Sequence, residues 1–419
     1  MVIPILCRKI KHDRASNSDQ YETVVSSTKT YNATQDPESH RIDRDSFGYI
    51  YTSFKDKKGY VYVAKSPFPN SIHGIWTIAK LFGGSNALLG NLLVANFGAS
   101  IKIDRTKNEL SFVMCEKTNH YCIYTRCKLT ASGGISNANN WYKEGTQNPT
   151  TQGYQQIGTI GKHTTIQLSV VEHDGKGKAM IAYGETTNGV FHLKYVWYDT
   201  SWTTPITISS YSNYEWAPDL VWTDNDVCHI AWESYQSNTI RYKRCEGVAN
   251  SMTASNWKKA NGETGYDNAV FHSTLKPRAF SMISNSNHDI FFTSHTELDC
   301  GDAGERSLYN ILDRHGSWKF VAGECGTVAI TGKKTWSYPN LGIKNNETPI
   351  VVYSKIYGNE KLYYRMFDGS TWTDEAQITS MVGRFPIIER RQPTSQTGMI
   401  VLFTKYASPY PVIAVTLEN

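Results

Sequence analysis

The stretch that decides the fold is Ser337–Ser380, SYPNLGIKNNETPIVVYSKIYGNEKLYYRMFDGSTWTDEAQITS. It holds three short β-like runs, NLGI, PIVVYS and KLYYRMF, then Trp372 and a short fourth run. The turns between runs carry Asn345-Asn346 and Gly358-Asn359, residues that tolerate the left-handed backbone of tight turns. A four-stranded unit of this kind cannot bury both of its faces alone, so it requires neighbours of its own kind.

Those neighbours are in the chain. A Trp closes the unit at Trp76, Trp141, Trp202, Trp257, Trp318 and Trp372, at a spacing of about 55 to 65 residues. That is longer than the ~40–50 residues of common propeller repeats, but of that kind. The second runs align as YIYTSF, LSFVMC, KAMIAY, CHIAWE, DIFFTS and PIVVYS. A seventh second run, MIVLF, starts at Met399, with PIIER before it and VIAVTL after it, and no fourth run follows. One strand-like run, Glu22 to Ser27, precedes the first unit. These features predict an all-β fold, a single seven-bladed β-propeller of four-stranded blades over residues 1–419. The blades fall at about 39–82, 99–145, 163–208, 215–262, 276–322, 337–380 and 384–419. Segment 1–38 supplies the outer strand of the last blade and closes the ring, which removes free sheet edges. The one helix candidate is Ser85 to Asn96.

Composition narrows the function classes. With 26 Tyr, 11 Trp and 31 Gly among 419 residues, the chain leans towards strands and turns. The net charge of +5 is modest and its Lys and Arg are scattered, so no nucleic-acid partner is expected. No run of about 18 apolar residues exists to span a membrane. The opening MVIPILCRKIKHD places apolar residues ahead of basic ones, the reverse of a secretory signal. Of the eight Cys, Cys115 with Cys122 and Cys228 with Cys245 are spaced to bridge hairpins; small buried thiols explain them equally well. Neither CxxC nor HExxH occurs, so there is no zinc signature. No cofactor is expected, and a structural or charge-neutralising divalent cation is left open.

In a propeller the innermost strands all start at one face of the ring, where ligands sit over the central channel. In blade order the residues at those starts are His40-Arg41, Ser100 with Lys102, Lys162-His163, Glu215-Trp216, Lys276 with Arg278, Tyr338 and Arg384. Such a basic concave ring favours an anionic ligand. Arg matches carboxylates and sulfates bidentately, and Trp216 offers a face to a sugar ring. The long segment His295 to Ser307, HTELDCGDAGERS, is placed to cover the same face. For each residue a solvated, structural role competes with a functional one, since strand starts are exposed. His120, His192, His229 and His288 fall in hairpins or strands and read as structural.

Carboxylates are scarce on this face: Glu215, with Asp299, Asp302 and Glu305 on the long segment. A glycoside hydrolase of the usual type needs two carboxylates flanking the bond. Elimination from a uronic acid needs other groups. Arg or Lys neutralises the carboxylate, a neutral His or Tyr removes the C5 proton, and a Tyr or His protonates the leaving oxygen. The catalytic candidates are therefore His40, His163 and Tyr338. The substrate-binding candidates are Arg41, Lys102, Glu215, Trp216, Lys276, Arg278 and Arg384.

The first unit, HRIDRDSFGYIYTSFKDKKGYVYVAKSPFPNSIHGIW, resembles the BNR-type propellers that include ulvan lyases and related polysaccharide lyases. The shared features are a His entering the first strand, a D-x-x-G-Y-I turn and KSPFPNSI ahead of the Trp. The resemblance implies a seven-bladed fold and β-elimination in sulfated, uronate-containing polysaccharides by His and Tyr, helped by Arg. It bears most directly on His40. A weaker resemblance is to sialidases, in SHRID and SYPNL. It would make Arg41, Glu215, Arg278 and Tyr338 a carboxylate-binding Arg, a partner Glu, a second Arg and a nucleophile. FDGSTW is only a remnant of the sialidase S-x-D-x-G-x-T-W box, and sialidases have six blades. The reading is thus a polysaccharide lyase acting as a monomer, extracellularly or at the cell surface, on an anionic polysaccharide or glycan. A non-catalytic glycan-binding propeller (a lectin or a surface or viral adhesin) is the alternative, and a sialidase-like hydrolase the second.

Overall fold

Strands buried on both faces form where apolar and small residues run on without alternation. Ile50–Lys55, Glu109–Cys115 and Val227–Ser234 are such strands, buried at every position. They are second strands of their units, shielded by a sheet on either side. A computed structural model describes residues 21–29, 33–34, 40–91, 93, 95, 99–161, 169–211, 215–234, 237, 239–271, 277–296, 307–319, 328–330, 338–355, 361–394, 396 and 398–418. Among these residues the chain is all-β, its helical content being a few three-residue 3-10 turns.

The strands make antiparallel sheets in simple up-and-down order. The first sheet is Ile42–Arg44, Ile50–Lys55, Val61–Lys65 and Thr77–Phe82. The second is Ser100–Asp104, Glu109–Cys115, Tyr121–Lys128 and Gln155–Thr159, with Trp141–Tyr142 added alongside. The third is Ser169–His173, Ala179–Thr187, Val190–Trp197 and Ile206–Tyr211. The fourth is Glu215–Thr223, Val227–Ser234, Thr239–Glu246 and Asp267–Phe271. The fifth is Pro277–Ser284, Ile290–Thr296, Ser307–Leu312 and Val328–Ile330.

The remainder departs from seven separate units. Ala376–Ile388 is one unbroken 13-residue strand. The backbone stays in strand through Gly383, its first half pairing with Lys361–Met366 and its second half with Gly398–Lys405, so it belongs to both neighbours. The result is a single seven-stranded sheet: Asn340–Ile343, Pro349–Lys355, Lys361–Met366, Ala376–Ile388, Gly398–Lys405, Val412–Glu418 and, at its edge, Tyr21–Val25. The N-terminal strand pairs antiparallel with the last one, Tyr21 opposite Val415. One expectation fails. Residues 85–91 form turns and bends, with Asn86 at φ 67 and Gly90 bridging Phe82, so the helix candidate carries no helix there.

Two devices join successive sheets. The recurring Trp is a wedge: each of four packs edge-on against a Tyr in the third strand of the preceding sheet. The pairs are Trp202 on Tyr124, Trp257 on Tyr195, Trp318 on Tyr242 and Trp372 on Tyr309, with centroids 4.7 to 5.5 Å apart. Such contacts add about 0.5–1.5 kcal/mol beyond the area they bury.

The second device is a polar staple. The innermost strand of each sheet has a free edge whose N–H groups need acceptors. Asp43 accepts from Ile103 N–H at 2.8 Å, Asp219 from Met282 N–H at 2.8 Å, and Asn340 Oδ1 from Ile388 N–H at 2.9 Å. Ser100 and Ser281 serve Val171 and Leu341 in the same way. The first and last sheets also meet. Ile42, Ile50, Phe54 and Ala64 share one core with Ile387, Ile400, Leu402, Val412, Ala414 and Val24. Beside it Arg44 grips Glu389 with two 2.8 Å bonds.

The cysteine question resolves on the thiol side. Cys115 lies opposite Cys122, and Cys228 opposite Cys245, in register across their hairpins. All four are free and buried, as is Cys127.

Candidate functional site

The innermost strands share one direction, so the space between them has a leading mouth, where they start, and a trailing mouth, where they end. At the leading end four of them carry an ordinary L residue in left-handed backbone: Ala217 at φ 50, Ala279 at φ 42, Tyr338 at φ 38 and Phe385 at φ 54. Three of these sites coincide with irregular register between the first and second strands of the unit. A β-bulge re-aims the side chain it carries, and a non-glycine residue at such a φ stores on the order of 1–3 kcal/mol. At Ala217 and Ala279 the bulge carries only a methyl group. At Phe385 the bulge, and at Tyr338 the left-handed backbone just before its strand, turn two rings towards each other, centroids 4.6 Å apart.

A third ring completes this cluster. His295, buried near the end of Ile290–Thr296, lies 5.2 Å from Tyr338, centroid to centroid. Tyr338 itself is half-buried. Arg278 stands opposite His295 in strand register. Arg384, next to Phe385, lays its guanidinium 3.6 Å above the Tyr406 ring. Tyr338, His295, Phe385, Arg278 and Arg384 thus occupy the starts of three consecutive innermost strands and the neighbouring strand end.

The other expected residues are dispersed. Arg41 is 1 % exposed and donates from Nη1 to Ala33 O at 3.1 Å. It ties the start of its strand to the N-terminal segment, and its guanidinium does not face solvent. Lys102 is displaced from the leading rim, because its strand carries it towards the trailing mouth, where Nζ lies 2.8 Å from Glu172. Glu215 and Trp216 open the strand Glu215–Thr223, and for them, as for Arg278, only the backbone is described. His163 and Lys276 lie outside the described residues, and so does most of the long segment after His295.

His40 has a different partner from any expected. Its ring is buried and reaches from the first sheet to the fourth, where Nε2 lies 2.6 Å from Asp219 Oδ1. Asp219 already accepts from the N–H groups of Leu220 and Met282. Arg390 sits 3.5 Å from Asp219 and donates to Met282 O at 2.5 Å. Burial, with help from the Arg390 charge, pushes the His40 pKa below its ordinary value despite the nearby carboxylate. The ring is therefore neutral at ordinary pH. Asp219 Oδ1 accepts a hydrogen bond from Nε2–H, which leaves Nδ1 an acceptor, buried and without a partner among the described residues. Among the described residues no three His, Cys, Asp or Glu side chains gather as a metal site.

No family model matches the chain, and neither does any curated protein sequence. Solved structures do. The polysaccharide lyase Uly1 superposes with a TM-score of 0.57 at 9% identity, covering 91% of this chain and 90% of that one. An ulvan lyase of family PL25, bound to -[GlcA(1-4)Rha3S]-, superposes at 0.58 with 9% identity, over 92% and 95% of the two chains. The fold resembles that of these lyases. A sialidase, NanB from Streptococcus pneumoniae, resembles it less, with a TM-score of 0.44 at 14% identity, over 96% of this chain and 71% of that one.

Sequence reading missed His295 and Asp219 as site residues. His295 was the first letter of a presumed loop, yet it ends a strand. A signal for Asp219 was present: a carboxylate inside an otherwise apolar innermost strand, WAPDLVW, must find a buried partner.

Proposed function

We propose that this protein is a polysaccharide lyase that cleaves an anionic, uronate-containing polysaccharide by β-elimination at the leading mouth. The observation that carries the reading is the Tyr338–His295 ring pair, at the start of an innermost strand in a fold shared with ulvan lyases along nearly its whole length. Tyr338, half-buried, is the more accessible member of the pair and meets the substrate; buried His295 positions it. Tyr338 acts as the phenolate: its oxygen takes the C5 proton and becomes the phenol, and the C–H electron pair becomes the C4–C5 double bond. The C4–O4 bond breaks, and O4 takes up the proton from the same phenol. Arg278 and Arg384 counter the uronate carboxylate, which makes the C5 proton acidic. Packing of the first sheet on the last strands supports a seven-bladed ring in which the seven-stranded sheet counts as two blades. An extracellular polysaccharide is the substrate that suits this geometry.

The test is incubation with a panel of uronate-containing polysaccharides, following the ultraviolet absorbance of the unsaturated product. The expected result is a rise on at least one substrate. Tyr338→Phe should reduce it by about 10²–10⁴-fold, the usual range for loss of an acid–base group, with glycan binding retained. Binding without any rise would make the protein a glycan-binding propeller.

A further inference from the structure

The trailing mouth holds a cavity of about 430 Å³, within the few hundred Å³ typical of small-ligand sites. The buried His40–Asp219–Arg390 cluster stands at its inner end. Its charges balance on paper but not in what they present. Lys102 is 28 % exposed against 7 % for its partner Glu172, Arg105 is 44 % against 13 % for Asp43, and Arg390 is 17 % against 0 % for Asp219. The carboxylates are turned back into the sheets, where backbone N–H groups of Ile103, Arg44, His173, Leu220 and Met282 occupy them. The cations face the cavity. Arg391 adds a fourth beside them, and Arg105 keeps Nη1 without a protein partner among the described residues. Asp104 also lines the cavity, its carboxylate taken up by Arg126 and Thr106, and Asp224 is an anion on the outer rim paired with His288.

One wall is aromatic. Trp222 lines the cavity half-buried, its ring edge resting on Gly175, where a Cβ would come within 2.2 Å of it. Oxyanions pair with Arg forks bidentately, and sugar rings lie against aromatic faces. We propose that the trailing cavity is a second, separate binding site for a sugar ring that carries an oxyanion: a sulfate, a phosphate or a carboxylate. Lys102, Arg105, Arg390 and Arg391 take the anion and Trp222 takes the ring. This site stands apart from Tyr338 and does not depend on the lyase reading.

Calorimetric titration of the full chain with glucose 6-sulfate, inorganic sulfate and glucose tests it. Glucose 6-sulfate should bind, more tightly than inorganic sulfate, and glucose should not. Arg105→Gln and Arg391→Gln should each weaken binding about tenfold or more, the loss of one charge-assisted pair, whereas Arg384→Gln at the leading mouth should leave it unchanged. Arg105→Lys keeps the charge without the fork and serves if Arg105→Gln fails to fold; it should weaken binding less. Wild-type affinity in the Arg105→Gln/Arg391→Gln double variant would overturn the proposal, as would loss of binding in Arg384→Gln alone, or no binding of glucose 6-sulfate by the wild type. Inorganic sulfate binding as tightly as the sugar sulfate would overturn the role of Trp222. Each outcome is read without any lyase assay.

Discussion

Three histidines, His40, His173 and His229, are held neutral by burial in spite of hydrogen-bonding neighbours. Burial is the first cause for each, followed by a nearby Arg, and it brings His229 down to about 3. His229 Nδ1 bonds the Tyr242 hydroxyl at 2.7 Å, and His173 Nε2 bonds Ser111 Oγ at 2.9 Å. The unfolded chain, with histidines near pKa 6.5, takes up protons first as pH falls. Stability is therefore complete above about 6.5 and declines below it, by up to about 1.4 kcal/mol per pH unit for each histidine. Glu109, pushed up to about 7 by burial, works in the opposite direction. Its contribution is present at low pH and lost as pH rises from about 4.5 to 7. Burial also raises Asp45, whereas His192 and the carboxyls of Asp43, Glu144 and Asp368 are lowered and lose their contribution as pH falls, so the balance is a net acid lability. In His229→Gln, denaturant unfolding at a series of pH values should show a slope shallower by about one proton below pH 6; an unchanged slope refutes the assignment. At this scale the candidate site was half legible. Tyr338 was readable from its place at the start of a strand. His295 was not, because its neighbour Tyr338 comes from the next sheet. Arg41 looked like a rim residue because sequence position does not reveal which way a side chain turns.

At the scale of elements, the repeat was readable because its Trp mark serves the same purpose in four of the copies. Each Trp wedge places a large ring against the preceding sheet, and the chain uses Trp at all of those positions. The staples serve a common purpose too, but Asp43, Ser100, Asp219, Ser281 and Asn340 differ in type, so no pattern announced them. The bulges were hidden for another reason: Ala217, Ala279, Tyr338 and Phe385 are held at positive φ by the sheets around them, not by their own preference. The long strand Ala376–Ile388 escaped notice because a boundary between units was placed at residues 380–384, where the backbone stays in strand through Gly383. The wedges carry a direct test. Trp257 is 2 % exposed, sits on Tyr195 and donates Nε1–H to Ser251 O at 2.7 Å. Truncation to Ala removes the wedge between the third and fourth sheets and strands a buried carbonyl. Trp257→Ala should lower the unfolding free energy by about 3–5 kcal/mol, measured by urea titration with an unchanged far-ultraviolet spectrum at zero denaturant. A loss below about 1 kcal/mol would mean the wedge is replaceable, since surface changes stay within such limits.

For the whole molecule the decisive contact is between the ends of the chain. Sheets that follow one another in sequence meet through short connections, so their packing is local. The first sheet and the last strands are far apart in sequence and meet through three separate contacts. These are the shared apolar core that includes Val24, the Arg44–Glu389 fork, and Thr34 bonded to Thr404 and to Phe385 O. The pairing of Tyr21–Val25 with Val412–Glu418 adds a fourth and covers what would otherwise be an open edge. If these contacts close a ring, removal of residues 1–29 should act far beyond the few side chains deleted. The strand Val412–Glu418 would expose its free edge, the core around Ile413 and Ala414 would lose its cover, and the first and last sheets would part more easily. The expected outcome is a lower thermal midpoint, together with association that grows with protein concentration as open edges pair between molecules. A synthetic peptide spanning residues 19–29, added in excess, should restore both by strand addition. A truncated chain with the midpoint of the full one, monomeric at every concentration, would mean that the sheets hold together without the N-terminal strand and that the ring closes, if it does, through the first sheet alone.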